Sequence, residues 1–189
     1  MFFSYRGGRI HYSDSGNGNV IVLLHGYFEL FPDHLYGYCL FHSQPFPDPP
    51  AALEKRMRGI EIVKMGKKNL MYPDNVIKMF APSNLEKFSD ALQRSKDIAS
   101  RIPGEGIIAV LNGMMIRPSR LFFMEEGRIP CLWILGSMNN YIPCDLIQSR
   151  VKLPPNAKTV ILKKSGHLGF IEEEENSARA ITEFVNKIS

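Results

Sequence analysis

The most constraining feature of this sequence is a short apolar run near its start, Val-Ile-Val-Leu-Leu at residues 20–24, which ends at once in His25-Gly26-Tyr27. The run is rich in β-branched residues and lies between Asn19 and a glycine turn. A run of this kind is typical of a strand buried on both faces. The sequence therefore predicts a buried strand that turns sharply at His25-Gly26.

Length and composition indicate one ordinary globular domain. The chain has 189 residues, of which 44% are hydrophobic and 22% charged, enough for a sizeable core. The net charge is +4, and the Lys and Arg residues are scattered rather than grouped. Scattered basic residues are typical of solvated helix faces, so we expect no nucleic-acid partner.

Cysteine usage and hydropathy predict a cytoplasmic protein. Cys39, Cys131 and Cys144 have no metal-ligand or disulfide spacing, so we expect neither a metal nor another cofactor. Cys39 and Cys131 lie in apolar runs, where we expect them to be small core residues. The first residues lack the layout of a signal peptide, and no apolar run approaches the length of a membrane span.

The order of patterns predicts an open α/β sheet with an inserted helical cap. A hairpin is expected around Gly7-Gly8, and further strands at 37–41, 130–136 and 158–163. A short helix is expected at 144–150, and an amphipathic terminal helix at 177–188 with Ala180, Ile181, Phe184 and Val185 inward. The predicted domains are a core of residues 1–50 and 119–189 and a cap of residues 51–118.

Within the cap, apolar spacing predicts the inner faces of several helices. Ser83 and Glu86 fit a capping box, and a short helix is expected at 67–72, before Pro73. The expected inner residues are Leu53, Met57, Ile60, Met65, Leu85, Phe88, Leu92, Ala99, Ile107, Val110, Leu111 and Met114. The methionines favour core filling, and the alternative is a pliable apolar binding surface.

Three polar residues fall where predicted strands end. His25, Asn139 and His167 follow the runs that end at residues 24, 136 and 163. Sites in open parallel sheets form at the carboxyl ends of the strands. These residues are therefore the candidate functional residues of the chain.

With these motifs in this order, the sequence resembles the α/β-hydrolase superfamily over nearly its whole length. Residues 23–26 resemble the turn whose backbone N–H groups hold an oxyanion, which assigns that role to His25, Gly26 and Tyr27. Residues 133–143 resemble the strand and loop of the catalytic acid, which places Asn139 at the acid position. Ser165-Gly166-His167 resembles the loop of the catalytic base. The resemblance implies acyl transfer by a serine, a histidine and an acid.

The chain departs from that family at the nucleophile. No serine lies in a Gly-x-Ser-x-Gly turn, as though the block carrying it had been removed between residue 26 and the strand at 37–41. Cys39 follows Gly37 at nucleophile spacing, but Phe41 occupies the second glycine position. Asn139 stands where an Asp is expected, and Asp145 is the nearby alternative. The missing strands predict a strained sheet centre and unpaired edges that favour a homodimer.

Three functions follow from these observations. The first is a catalytically degenerate member of the fold, without triad activity. The second is an active carboxylic-ester hydrolase with an unrecognised nucleophile and His167 as its base. The third is a non-catalytic module that binds a small acyl or ester ligand under the cap.

Overall fold

A computed structural model of the protein describes residues 2–5, 8–11 and 35–188. The strands in these ranges are β1 (Phe2–Tyr5), β2 (Gly8–His11), β3 (Tyr38–Phe41), β4 (Cys131–Gly136) and β5 (Ala157–Leu162). The α-helices are α1 (Pro50–Lys64), α2 (Tyr72–Met79), α3 (Ser89–Arg101), α4 (Gly104–Met115), α5 (Leu121–Glu126), α6 (Cys144–Gln148), α7 (Gly169–Glu172) and α8 (Glu174–Ile188). Two 3-10 turns, Lys68–Leu70 and Pro82–Asn84, flank α2.

A parallel sheet of three strands forms the centre of the described structure. Its order is β3-β4-β5, with Cys131 opposite Tyr38 on one side and opposite Ala157 on the other. All six residues of β4 are buried. Fully burying one large apolar side chain contributes roughly 1.5–3 kcal/mol, so this strand anchors the core. The predicted strands at 37–41, 130–136 and 158–163 are confirmed.

Two apolar clusters cover the two faces of this sheet. One cluster contains Trp133, Leu135 and residues of β3, and the other joins Leu132 and Ile134 to α8. Helix α8 turns Ala180 and Phe184 inward, as its predicted amphipathic pattern requires, although it begins at Glu174 rather than Ser177.

The predicted N-terminal hairpin is confirmed. Strands β1 and β2 pair antiparallel, with Phe2 opposite His11 and Tyr5 opposite Gly8. Gly8 therefore belongs to the second strand rather than to the turn. The strand predicted at 20–24, the turn at His25-Gly26-Tyr27 and the expected strain beside them lie outside the described residues.

The helices between β3 and β4 differ from the prediction at their ends. Pro73 lies in the first turn of α2, because a first-turn residue needs no N–H donor. It therefore starts a helix instead of ending one, and residues 68–70 form only a 3-10 turn. The capping box is also wrong: Ser83 lies in a 3-10 turn without a side-chain cap bond, and α3 begins at Ser89.

The predicted inward packing of residues 85–99 is confirmed, although its first two members precede α3, whereas part of the inner face predicted for α1 and α4 is wrong. Leu85, Phe88, Leu92 and Ala99 pack against a buried cluster that includes Val76 and Phe80. Met57, Met65 and Val110 are instead 51%, 65% and 55% exposed. The buried face of α1 is centred on Gly59, Ile60 and Val63, and a Cβ at Gly59 would lie 3.5 Å from Leu111. Helix α1 therefore faces Leu111 of α4 with Gly59 rather than with Met57 or Met65.

Cys39 also departs from its predicted place, since its side chain is exposed while that of Cys131 is buried. Alternation along β3 explains this difference: the flanking Tyr38 and Leu40 point into the core. No helix in the ranges that the structure covers is long and apolar enough to cross a membrane.

Candidate functional site

Three polar side chains meet at the carboxyl ends of the parallel strands. His42 follows β3, Asn139 lies in the loop after β4, and His167 lies in the loop after β5. The rings of His42 and His167 are 5.9 Å apart between centroids, and the amide of Asn139 contacts His167. The structure thus brings together two of the residues singled out in the sequence and adds one.

Asn139 is buried, and backbone groups fix the orientation of its side chain. Its Oδ1 accepts hydrogen bonds from the N–H of Tyr141 at 2.9 Å and from the N–H of Ile142 at 3.2 Å. Only the oxygen of an amide can accept these two donors. The NH₂ group of Asn139 must therefore face the other way.

That NH₂ group faces His167. Nδ2 of Asn139 lies 3.1 Å from Nδ1 of His167. Since the amide nitrogen is a donor, Nδ1 of the imidazole must accept, and a neutral ring then carries its proton on Nε2. Asn139 thus selects one tautomer of His167.

The backbone and neighbours of His167 hold the ring in place. Its N–H donates to the carbonyl of Met79 at 2.6 Å, which ties the loop to the end of α2. The ring of Tyr141 meets it edge to face, with centroids 5.6 Å apart. His167 is half-buried between these groups.

His42 was not among the candidate residues predicted from the sequence. Its side chain is 4% exposed, and its Nε2 accepts a hydrogen bond from the N–H of Gly169 at 3.0 Å. Burial, followed by the charge of a protonated His167, lowers the pKa of His42 to about 3. His42 is therefore neutral near pH 7 and acts as the acceptor for the first turn of α7.

Local backbone geometry adapts to the His42 ring. The φ angle of His42 is +44°, a left-handed conformation that costs a non-glycine residue free energy. A Cβ at Gly169 would collide with Nε2 of His42, and one at Gly136 would lie 3.0 Å from Cε1. The position of His42 could have marked it as a site candidate in the sequence, because it follows a predicted strand just as Asn139 and His167 do.

Two carboxylates organise the loop that carries His167. Glu172 is buried and accepts bonds from the N–H of Gly166 at 2.7 Å and the N–H of Ala81 at 2.7 Å. Glu173 accepts from the N–H of Lys164 at 2.8 Å and from Oγ of Ser165 at 2.7 Å. The run of four glutamates at 172–175 gives no sequence sign that its first two members turn inward.

Ser165, Ser137 and Cys39 are poorly suited to act as nucleophiles. Ser165 is fully buried and donates to Glu173, and Ser137 donates to the carbonyl of Lys163 at 2.8 Å. Although the Cys39 side chain is partly exposed, desolvation by neighbouring protein atoms, and then Cys131, raise the pKa of its thiol to about 12. A nucleophilic cysteine needs a lowered pKa.

Asp145 lies in the first turn of α6 with an exposed side chain. Asn139, rather than Asp145, contacts Nδ1 of His167.

An open groove of about 580 Å³ lies beside Asn139 and is lined by Pro82, Ser83, Ser137, Met138, Asn139, Asn140, Pro143, Cys144 and Asp145. His25, Gly26 and Tyr27 lie outside the described residues, so their predicted oxyanion role stays a prediction.

Comparison with solved structures identifies the architecture around this site. An esterase from Thermogutta terrifontis superposes with a TM-score of 0.77 at 23% identity, over 84% of this chain and 58% of that chain. An alpha/beta hydrolase enzyme from a deep-sea metagenome library superposes with a TM-score of 0.61 at 13% identity, over 78% and 55%. The enol-lactonase from Burkholderia xenovorans superposes with a TM-score of 0.63 at 16% identity, over 78% of this chain and 55% of that chain.

The chain therefore has the α/β-hydrolase fold, which confirms the predicted fold class and, at the level of the fold, the resemblance read from its motifs. It spans somewhat more than half the length of these structures, 58% in the case of the Thermogutta esterase. Neither a protein-family model nor a curated protein sequence matches the chain.

Proposed function

We propose that this chain is a catalytically degenerate protein of the α/β-hydrolase fold, in which His167 does not act as the base of a serine hydrolase. The observation that carries the proposal is the fixed orientation of Asn139. Its oxygen is held by the N–H groups of Tyr141 and Ile142, so its NH₂ group is directed at Nδ1 of His167.

The chemical consequence concerns the proton on the imidazole. In a working triad the acid accepts from Nδ1–H, which leaves the lone pair on Nε2 to take the proton of the serine. Asn139 imposes the opposite tautomer, and in a serine protease the same exchange of Asp for Asn lowers kcat by about 10⁴-fold. A protonated ring would also lose its bond to Asn139, because two donors would then face each other.

The absence of a nucleophile motif from the sequence supports the same proposal. None of the serines of the chain lies in a Gly-x-Ser-x-Gly turn, the strained turn that exposes the nucleophile in this fold. The chain also spans only 58% of the length of the Thermogutta esterase. An internal shortening that removed the nucleophile block accounts for both facts.

Hydrolysis of short-chain aryl esters tests the proposal. Purified wild-type protein and the variant His167→Ala are compared on p-nitrophenyl acetate and butyrate. We expect the two proteins to give the same slow background rate. Saturable turnover by the wild type that His167→Ala abolishes would overturn the proposal and support the active ester hydrolase with His167 as its base.

A second candidate function is binding of a small ester or acyl ligand without turnover. The groove of about 580 Å³ beside Asn139 favours it, as does the likeness to proteins described as an esterase and an enol-lactonase. Phenyl acetate and hexanoate are suitable probes in a thermal-shift experiment. Stabilisation that Asn139→Ala removes is the expected result, and no shift with either probe would contradict this function.

The expected homodimer through sheet edges and the cytoplasmic location stay predictions. Strand β3 bears on the first of them, because it pairs with β4 on one side only among the described strands. Sedimentation of the purified protein over a range of concentrations would test the dimer directly.

A further inference from the structure

Glu172 is a buried carboxylate that joins two separate parts of the structure. Its side chain is 6% exposed at the end of α7. One oxygen, Oε1, accepts from the N–H of Ala81 at 2.7 Å and from Nδ2 of Asn84 at 2.8 Å. The other, Oε2, accepts from the N–H of Gly166 at 2.7 Å. The first two donors belong to the inserted helical block and the third precedes His167.

The same two parts touch directly through their backbones. The N–H of His167 donates to the carbonyl of Met79, and Nδ2 of Asn84 also donates to the carbonyl of Lys164 at 2.6 Å. A Cβ at Gly166 would lie 2.6 Å from the nitrogen of Ala81. The loop at 164–167 therefore lies flat against residues 79–84.

A carboxylate suits this junction because both of its oxygens accept. Removing a charged group from water is costly unless hydrogen bonds replace its hydration, and three N–H donors meet this need at Glu172. A glutamine of the same shape has one oxygen and one NH₂ group. It could satisfy the donors on one side of the junction only, and its NH₂ group would face a donor on the other.

We propose that Glu172 is a positioning residue through which the helical block sets the place of the His167 ring. Gly166 is the residue before His167, so the bond to Glu172 and the bond to Met79 fix the backbone on which the ring is mounted. In that position the ring contacts Asn139. This role does not depend on turnover, and it goes beyond the proposed function.

The test compares Glu172→Gln with Glu175→Gln, an exposed glutamate of the same run. The readout is the pair of ring nitrogen resonances of His167, assigned with His167→Gln and measured by NMR well below the unfolding transition. We expect Glu172→Gln to lower Tm and to shift both ring resonances. Glu175→Gln should leave both unchanged. A purely structural Glu172 would lower Tm and leave the His167 resonances where they are, which would overturn the proposal.

A milder variant covers the case in which Glu172→Gln does not fold. Asn84→Ala removes the bond from Nδ2 to Glu172 and the bond from Nδ2 to the carbonyl of Lys164, and it leaves the bond between Glu172 and Gly166 intact. Neither lost bond involves the His167 ring, so a shift of the ring resonances in this variant supports transmission through the junction that Glu172 and the 164–167 loop form with the helical block. Unchanged ring resonances in folded Asn84→Ala would count against it.

Discussion

Nδ2 of Asn139 donates to Nδ1 of His167 across 3.1 Å. The direction of this hydrogen bond is set by backbone groups outside the pair. The backbone N–H groups of Tyr141 and Ile142 occupy the amide oxygen. Whether the imidazole can take a proton at Nε2 thus depends on the turn after β4. The replacement of one carboxylate oxygen of Asp by the amide nitrogen of Asn therefore decides which nitrogen of His167 carries the proton.

Asn139→Asp is predicted to reverse the tautomer of His167. One carboxylate oxygen keeps the two backbone donors, while the other replaces NH₂ with an acceptor, which favours a proton on Nδ1. Long-range proton–nitrogen NMR of the ring should show Nε2 protonated in the wild type and Nδ1 protonated in the variant. Asn140→Asp is the matched control, because the side chain of Asn140 is exposed and its Nδ2 donates to the carbonyl of Lys78 rather than to the ring of His167. A wild-type ring already protonated on Nδ1 would contradict the assignment.

His42 is predicted to make the protein sensitive to acid. Its pKa is about 3 in the folded chain against roughly 6.5 when unfolded. The unfolded chain therefore binds a proton between these values and the folded chain does not. Stability contributed by neutral His42 is present above about pH 6.5 and is lost as the pH falls toward 3, by roughly 1.4 kcal/mol per pH unit.

His42→Gln tests this dependence, because glutamine keeps an acceptor for the N–H of Gly169 and does not titrate. The free energy of unfolding is measured with urea at pH 7 and at pH 5. Its decrease between these two pH values should be larger for the wild type than for the variant by about 2 kcal/mol. Equal decreases in the two proteins would show that His42 is not the group responsible.

Gly169→Ala is predicted to destabilise the protein. The added Cβ would meet Nε2 of His42 and Cδ1 of Leu162, and overpacking of this kind typically costs about 1–3 kcal/mol. Gly113→Ala in α4 is the control, since a Cβ there meets nothing within 4 Å and alanine favours a helix by about 1 kcal/mol. Thermal unfolding should therefore give a lower Tm for Gly169→Ala and a higher Tm for Gly113→Ala. An unchanged Tm for Gly169→Ala would refute the packing described around His42.

Cys39 is predicted to react slowly with iodoacetamide at neutral pH. Its thiol has a pKa of about 12, and only the thiolate is nucleophilic. Alkylation followed by mass spectrometry should accelerate with each pH unit up to pH 10 without a plateau. A plateau near pH 7 would indicate an activated thiol and would revive Cys39 as a nucleophile.

How far the sequence could predict these features depends on the range of the interactions involved. The buried strands were predictable, because runs such as residues 131–136 need burial on both faces whatever surrounds them. The approach of Asn139 to His167 followed from their places at neighbouring strand ends. The contact itself, and the direction of the proton, depend on a turn geometry that composition does not encode.

Other features depended on partners far away along the chain. His42 contacts Gly169, 127 residues later, and Glu172 contacts Ala81, 91 residues earlier, so no local pattern signals either pair. The inner face of α1 was misassigned for a similar reason. Gly59 lies in the buried face of α1, and a hydrophobic pattern gives no weight to a glycine when it predicts an inner face.

The most direct test of the central claim is labelling with a serine-directed fluorophosphonate, read out by intact-protein mass spectrometry. The reagent reports an activated serine without requiring a known substrate. We expect no adduct on the wild-type protein under conditions that label an active esterase completely. A stoichiometric adduct on one serine, lost when that serine is replaced by alanine and when His167 is replaced by alanine, would contradict that claim.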